Sequence, residues 1–392
     1  MYNYGYSATQ TEEIRAYPQP IKRFLARMTD FALSAVVTYA IYVFILGRAP
    51  IFAGIKDSAI FVMAAGAVSA FIEALMLCLF GATPGKVLFG IRITGGYGRK
   101  LGFRDALTRN FKRFLIGEGL MLPIISLVRM YKSYTVCRDG NIMDYDDYTV
   151  YDVRERAMVL SAVGVIICAV TAFALTIVLT VWGMSVPNKG DINTEQFIEN
   201  YNYLVDYTYS SDINRKLDDT MRFVSEDGAK PYENTSVSFE RIGKGEILDG
   251  IGLKIKGFNY NYRNTYDYGN EMTFIVMSLA DTGFADNFAV LKYGSMGLGL
   301  DNDVTVQFAD IEAEYSVRME NYKLDIRQNA DSKHSGGTFV SSGLVKNPDG
   351  TYTKDDSKAF SVSFGRGRHM FGPVDEEQKS ILEMNFRAEK IK

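Results

Sequence analysis

Residues 58–80 read SAIFVMAAGAVSAFIEALMLCLF, and Glu73 is the only charged side chain among them. A membrane-spanning helix needs about 20 largely apolar residues, so this stretch is long enough to cross a bilayer. A carboxyl group at the centre of such a helix costs about 2.5–3.5 kcal/mol on insertion scales, and it is therefore usually paired or used in function. The stretch predicts a transmembrane helix that carries one buried polar group.

Three further apolar stretches lie in the first 190 residues. Residues 21–46 and 157–182 are long enough to span a membrane, and the second of them carries no charge. Residues 114–128 are shorter and are interrupted by glycine and proline. We interpret this segment as re-entrant, because irregular backbone at membrane depth is tolerated where protein covers it. The alternative is a fourth full span, which would place the last part of the chain in the cytoplasm.

The two halves of the chain carry opposite charge. Residues 1–189 contain 20 Lys and Arg against 13 Asp and Glu, whereas residues 190–392 contain 23 against 33. Residues 81–113 alone carry eight Lys and Arg and a single acidic residue, Asp105, so the positive-inside rule places this loop and the N-terminus in the cytoplasm. With three spans, the acidic half then lies outside the cytoplasm. Because nucleic-acid binding needs a basic patch, no nucleic acid is expected as a partner.

The apolar pattern changes to a period of two from residue 235 onward. Runs such as Ile251, Leu253 and Ile255 alternate with polar residues, which is the spacing of a strand with one buried face. About nine such runs with turn residues between them predict an antiparallel sandwich or barrel-like domain. Residues 194–224 follow helical spacing instead, with a break near residue 211, and predict a leading helical segment.

The predicted fold is therefore an α-helical membrane domain, with three full spans plus a short re-entrant segment, followed by a β-rich antiparallel domain. The predicted boundaries are a flexible leader at residues 1–19, a membrane domain at 20–155, a last transmembrane helix at 156–186, and a β-rich extracytoplasmic domain at 187–392.

Residues that would support catalysis or metal binding are few. The chain has three cysteines, none of them after residue 168, and two histidines, His334 and His369. A disulfide or thiolate metal site in the β-rich half is therefore not expected. The run TPGK at residues 83–86 is not a phosphate-binding loop, because Val87 stands where that loop needs Ser or Thr. We expect no enzyme, no catalytic residue, no cofactor and no metal site.

Four short motifs in the first 155 residues share a family pattern. They are Arg23-Phe24-Leu25-Ala26 with Asp30; Glu73 followed by Gly81-x-Thr83-x-Gly85-Lys86-x-x-x-Gly90-x-Arg92; Ala106-Leu107-x-Arg109-Asn110; and Asp144 followed by Thr149. On these motifs, residues 15–155 resemble the RDD family of bacterial membrane proteins. One position departs from the pattern, since Met143 stands where the family usually has His before the closing Asp. The resemblance does not extend to the rest of the chain.

The family motifs, together with charged residues of the first and third apolar segments, predict a polar network in the membrane domain. Its members would be Arg23, Asp30, Glu73, Lys86 and Asp144, with Arg27, Arg109 and Glu118 as secondary members. In a structural interpretation, the cations lie at the membrane rim and the carboxyl groups form hydrogen bonds between helices. In a functional interpretation, a buried carboxyl group carries a proton, with neighbouring cations as its partners.

Two functions fit this organisation. In the first, an integral membrane protein anchors or assembles an acidic extracytoplasmic β-domain that binds a protein or envelope component. In the second, the membrane domain is a small transporter or cation/proton exchange module that uses its intramembrane carboxylates, a role proposed for some members of the family. The expected partners are the lipid bilayer, further copies of the chain in a homo-oligomer, and an extracytoplasmic protein or envelope ligand. The expected location is the bacterial cell membrane, as a multi-pass protein.

Overall fold

The computed structural model describes residues 19–52, 55–95, 99–146, 149–154, 157–208, 215–225, 235–258, 269–293, 304–320, 322–325, 338–346, 352–363, 370–373 and 381–391. The predicted leader at residues 1–19 falls outside them, apart from its last residue. The chain divides into two units, Met1–Gly183 and Met184–Lys392.

The first unit is mainly helical. Its described elements are α1 (Pro20–Leu46), α2 (Ile55–Phe80), α3 (Pro84–Leu88), β1 (Ile91–Gly95), α4 (Phe103–Lys112), a π-helical turn (Arg113–Gly117), a 3-10 turn (Gly119–Met121), α5 (Pro123–Arg138), β2 (Thr149–Val153) and α6 (Met158–Gly183). A further 3-10 turn, Pro50–Phe52, lies between α1 and α2.

Three helices of this unit, α1, α2 and α6, are long and apolar enough to cross a membrane. Helix α1 begins at Pro20, where proline's fixed φ suits the first turn. It ends before Gly47, whose φ of 61° is the left-handed conformation common after a helix. Lipid replaces water around such helices, so their many exposed apolar side chains need no protein cover. The three predicted spans are confirmed.

A two-stranded antiparallel sheet connects the end of α2 with the start of α6. Strand β1 pairs with β2 from Ile91 opposite Val153 to Gly95 opposite Thr149. The alternating residues at 87–94 and 148–153 predict two strands that pair with each other. The pairing is confirmed, although residues 87 and 88 belong to the short helix α3 rather than to the strand. Because β1 follows α2 and β2 precedes α6, the end of α2 and the start of α6 lie at the same membrane face.

The segment at residues 114–128 is not one continuous helix. It comprises part of the π-helical turn, the 3-10 turn and the first residues of α5. Leu120 and Met121 both have φ of 59°, a left-handed conformation that non-glycine residues rarely adopt. This break separates a buried start at Phe114 from helix α5, which exposes many apolar side chains and continues to Arg138. The segment is not among the helices long enough to span, which agrees with the re-entrant interpretation.

Small residues let the elements of this unit approach closely. A Cβ atom on Gly66 of α2 would lie 2.4 Å from the Phe114 ring, and one on Gly85 would lie 2.1 Å from the carbonyl oxygen of Ala26. Between α1 and α6, the hydroxyl groups of Tyr39 and Thr180 are 2.7 Å apart. Such contacts are the usual means of helix association where no hydrophobic effect operates.

The second unit combines helices with strands. Its described elements are α7 (Thr194–Thr208), β3 (Arg215–Leu217), β4 (Phe223–Ser225), β5 (Thr235–Ile242), β6 (Gly250–Phe258), α8 (Gly269–Leu279), α9 (Phe284–Tyr293), β7 (Val304–Phe308), β8 (Ile311–Glu320), β9 (Tyr322–Asp325), β10 (Thr338–Lys346), β11 (Tyr352–Ser363), β12 (Met370–Pro373) and β13 (Ile381–Lys390).

Its main feature is a five-stranded antiparallel sheet in the order β5-β6-β13-β8-β7. The apolar side chains of Leu253 and Phe386 alternate with exposed polar ones and pack on the face that α8 covers. The predicted antiparallel, β-rich domain with a leading helix is confirmed. The described strands form an open sheet rather than a closed barrel, and the layer against the sheet is helical. Three further strand pairs, β3-β4, β9-β12 and β10-β11, complete the described sheets.

Two local predictions in this unit are wrong. Residues 215–225, for which the spacing predicts a helix, form the β3-β4 hairpin. Helix α8 occupies a region for which the sequence predicts strands, and residues 271–280 are buried without exception. A helix that is buried on all sides loses the apolar stripe by which a helix is recognised.

Candidate functional site

The candidate site is a network of five cations and four carboxylates in the first unit. It is formed by the side chains of Arg23, Arg27, Asp30, Glu73, Lys86, Arg109, Arg113, Glu118 and Asp146. They come from α1, α2, α3, α4, the π-helical turn and the residue that follows it, and the loop before β2, so several separate parts of the membrane unit meet here.

Asp30 holds the short helix α3 against α1. Its Oδ1 accepts a hydrogen bond of 2.7 Å from the backbone N–H of Gly85, and its Oδ2 accepts bonds from the Thr83 hydroxyl and, at 3.2 Å, from Lys86 Nζ. Gly85 is required at this point because a Cβ atom would collide with the α1 backbone at Ala26. The run at residues 83–86 is therefore a docking turn for a buried carboxylate.

Glu73 is the centre of the network and is only 1% exposed. Lys86 Nζ donates to its Oε2 at 2.9 Å, and Arg113 donates to both carboxylate oxygens at 3.0 and 3.1 Å. Arg27 donates to Oε1, which also accepts a 3.1 Å bond from the Ser69 hydroxyl one turn earlier. Three cations thus surround one carboxylate of a spanning helix, seven residues before that helix ends at Phe80.

Glu118 links the broken segment to α1. Arg27 donates to its two oxygens at 2.5 and 2.8 Å, in the bidentate geometry that guanidinium and carboxylate groups favour. Arg113 Nε lies 3.0 Å from Oε1 as an ion pair, without the alignment of a hydrogen bond. Arg27 and Arg113 therefore each bridge Glu73 and Glu118.

Asp146 forms the other part of the network. Arg23 Nη2 donates to it at 2.6 Å, Arg109 Nε at 2.9 Å, and the Tyr151 hydroxyl at 2.8 Å. Burial by itself would raise the pKa of Asp146. The guanidinium groups of Arg109 and Arg23 lower this pKa by more than burial raises it, so it lies below its ordinary value. Burial raises the pKa of the Tyr151 hydroxyl, which remains a donor at neutral pH.

The structure brings most of the predicted residues together. Arg23, Arg27, Asp30, Glu73, Lys86, Arg109 and Glu118 are all members of the network. Asp144 is not: it is exposed, and no contact of its side chain is seen in the described part of the chain. Asp146, two residues later, takes the place that the motif assigned to Asp144.

Two members were missed by sequence reasoning. Arg113 lies four residues after Arg109, so it falls on the same helical face, and that spacing was the available signal. Asp146 lies in an acidic run at residues 144–147, in which spacing alone does not show which carboxylate turns inward.

A cavity of about 570 Å³ lies beside the network. Its walls are mostly apolar side chains of α1 and α5, including Phe24, Met28 and Met130. Six charged members of the network also line it: Arg23, Arg27, Lys86, Arg109, Arg113 and Glu118. A mostly apolar cavity with a few convergent polar groups is the usual form of a ligand site.

Comparison with known proteins agrees with this geometry. Residues 17–177 match the model of the RDD family. The first unit contains an RDD domain. Neither a curated protein nor a solved structure matches the chain, and no family was recognised for the second unit.

In the RDD domain, every carboxylate of the ion-pair network already has its hydrogen-bonding or ion-pair partners. Its carboxylates each contact at least two cationic or hydroxyl donors. Within the described ranges, no group of three or more His, Cys, Asp or Glu side chains is arranged to hold a metal ion. With its three apolar helices, the RDD domain makes the chain a multi-pass integral membrane protein.

Proposed function

We propose that this protein uses its RDD domain as a membrane anchor and assembly platform for an acidic second unit, which binds a protein or envelope component outside the cytoplasm. The observation that supports this most is the odd number of spans. Helices α1, α2 and α6 are the spanning helices of the described chain, and the β1-β2 pair joins the ends of α2 and α6 at one face. An odd count sends the two ends of the chain to opposite sides of the membrane.

Charge supports the direction of that topology. The loop after α2, at residues 81–113, carries eight of the basic residues and a single acidic one. Basic loops remain on the cytoplasmic side, which assigns the β1-β2 face to the cytoplasm and the second unit to the outside. In a bacterium, the second unit would then face the envelope layers outside the cell membrane.

The ion-pair network favours an anchoring role over cation/proton exchange. A carboxylate that carries protons must lose its charge during each cycle. Protonation of Glu73 would leave Arg27, Lys86 and Arg113 short of one buried counter-charge, and uncompensated buried charge is costly. The network therefore resembles a fixed joint between helices, and transport stays the alternative.

The second unit has the properties of an independent binding domain. It has its own buried core around the five-stranded sheet, with Leu253 and Tyr201 fully enclosed. Residues 190–392 carry an excess of ten acidic side chains. Its size exceeds what an anchored transporter would need, and its charge suits a partner with a basic surface.

Topology is tested first, by labelling single cysteines from outside intact cells. The probes are Asn141→Cys, in the loop between α5 and β2, and Lys244→Cys, an exposed position of the second unit. The background replaces Cys78, Cys137 and Cys168 by serine. Labelling only at residue 244 is the expected result. Labelling only at residue 141 would refute the proposed orientation.

Binding is tested in the same cells with a photo-crosslinking amino acid at Glu312, an exposed position on β8. The expected result is a discrete crosslinked product that the same probe at Asn141 does not give. Products shared by both positions, or none at any exposed position of the sheet, would contradict the binding role. Proton-dependent cation movement in vesicles that contain the full chain, abolished by Glu73→Gln in folded protein, would favour the transport alternative.

A further inference from the structure

The cavity beside the network combines two kinds of surface. Residues of α1 and α5 form apolar walls, among them Phe24, Met28, Leu127 and Met130. Charged side chains of the network also line it: five cations, Arg23 among them, and one carboxylate, Glu118, which is already paired with Arg27 and Arg113. A ligand that matches both surfaces has an anionic head and an apolar body.

The charges of the network are not balanced around Asp146. Among the described side chains, Asp30, Glu73 and Glu118 face three cations, Arg27, Lys86 and Arg113. Asp146 alone faces two cations, Arg23 and Arg109. One positive charge is therefore in excess, and it lies at the Asp146 end of the network.

Arg23 is the cation that remains available to an anion. Its side chain is 23% exposed, against 5% for that of Arg109. Its Nη2 donates to Asp146, whereas its Nη1 has, among the described residues, the sulfur of Cys137 alone, at 3.4 Å. A guanidinium group carries five N–H donors, and sulfur is a weak acceptor. The Tyr151 ring, 3.9 Å from Cζ of Arg23, holds the guanidinium in place beside the cavity.

Helix α5, which forms one wall of the cavity, has an exposed apolar surface. Ile124 is 80% exposed and Tyr131 is 70% exposed, so this helix presents an apolar surface that water would not favour. Arg129 and Lys132 are exposed on the same helix. Apolar, aromatic and basic side chains together are typical of a helix that lies in the membrane interface.

We propose that this cavity binds one anionic phospholipid from the surrounding bilayer. The headgroup phosphate accepts hydrogen bonds from Arg23, which supplies the excess positive charge, and an acyl chain lies along the apolar walls of α1 and α5. The apolar walls and the volume of about 570 Å³ favour a lipid over a free phosphate ion, which would leave most of the cavity unfilled. The lipid supplies the missing counter-charge of the RDD domain.

The test is native mass spectrometry of the full chain in micelles, with dioleoyl phosphatidylglycerol or dioleoyl phosphatidylcholine added. The two lipids share their acyl chains and differ in net headgroup charge. The expected result is about one retained phosphatidylglycerol per chain and at least about tenfold less phosphatidylcholine. Both lipids offer phosphate oxygens to Arg23, but the choline cation of phosphatidylcholine already neutralises its phosphate, so that lipid supplies no net counter-charge. Equal retention of the two lipids would overturn the proposal.

Three variants locate the site. Arg23→Gln should lower phosphatidylglycerol retention about tenfold, and it leaves Asp146 balanced by Arg109. Met28→Trp fills the cavity without removing a charge and should lower retention even if Arg23→Gln fails to fold. Arg129→Gln removes an arginine that does not line the cavity, and retention should be unchanged.

Two other outcomes would refute the inference. An equal loss in Arg23→Gln and Arg129→Gln would mean general attraction to basic surface rather than a site. Displacement of phosphatidylglycerol by an equal concentration of inorganic phosphate would mean a site for small anions.

Discussion

Replacement of Glu73 by glutamine is the most direct test of the view that the ion-pair network holds the membrane helices together. The change removes one negative charge and keeps the shape of the side chain. Three cations, Arg27, Lys86 and Arg113, then lose a buried counter-charge. Removal of one partner from a buried ion pair typically costs about 3–5 kcal/mol.

That cost is large enough to measure as a shift in melting temperature. At about 2–4 °C per kcal/mol for chains of this class, Glu73→Gln should lower the Tm by about 6–20 °C. A thiol-reactive dye can report unfolding of the purified full chain, because Cys137 is buried in the folded RDD domain and becomes reactive when it opens. The second unit contains no cysteine, so the signal reports the first unit alone.

Two comparisons decide whether the reasoning is correct. Asp139→Asn removes a carboxylate from an exposed pair with Arg138, and such pairs contribute about 0–1 kcal/mol. The double variant Glu73→Gln with Lys86→Met removes one negative and one positive charge, so the network keeps its wild-type net charge. Its destabilisation should therefore be smaller than the sum of the two single effects by about 0.5–3 kcal/mol. A Tm for Glu73→Gln within the range of Asp139→Asn, or strict additivity in the double variant, would refute a structural network.

Three further outcomes follow from the geometry. Asp146→Asn should destabilise the protein by about 3–5 kcal/mol, and Asp144→Asn by less than about 0.5 kcal/mol. The opposite order in a thermal melt would mean that Asp144, not Asp146, forms the buried ion pairs. Stability should also depend on pH through Asp146. Its pKa in the folded protein is lower than in the unfolded chain, where it is about 3.9, so its contribution is present above that value and is lost as the pH falls through the folded pKa. The Tm difference between wild type and Asp146→Asn should therefore shrink below about pH 4, and a constant difference down to acid pH would contradict this. Gly85→Ala should cost about 1–3 kcal/mol or more, because its Cβ would lie 2.1 Å from the Ala26 carbonyl oxygen. Gly95→Ala, whose Cβ would meet nothing closer than 3.6 Å, is its matched control, and equal Tm values for the two would disprove the close approach.

The RDD domain illustrates which features sequence patterns predict well. Three spans were predicted because about 20 consecutive apolar residues have few other uses in a protein. The pairing of β1 with β2 was predicted from the alternating residues at 87–94 and 148–153, and it requires both strands to lie on the same side of the membrane. The exact bounds were not: Val87 and Leu88 belong to α3, since Pro84 starts a helical turn there.

The errors in the second unit have a common physical cause. Helix α8 is enclosed on all sides, so polar residues do not mark one of its faces. The β3-β4 hairpin has only three paired positions, too few for an alternating pattern to compete with an accidental helical one. In both cases tertiary packing overrode a weak local signal.

The sequence by itself determined the number of membrane helices, the basic face of the membrane domain, the RDD motifs and the β-rich character of the second half. These properties depend on the solubility and local conformation of short segments. Only the tertiary structure decided which charges meet. Arg23 and Asp146 are separated by 123 positions, and Asp144 and Asp146 differ in burial because of how one loop packs on α1 and α4. Contacts between distant segments depend on the shape of the whole domain, and no local period in the chain records them.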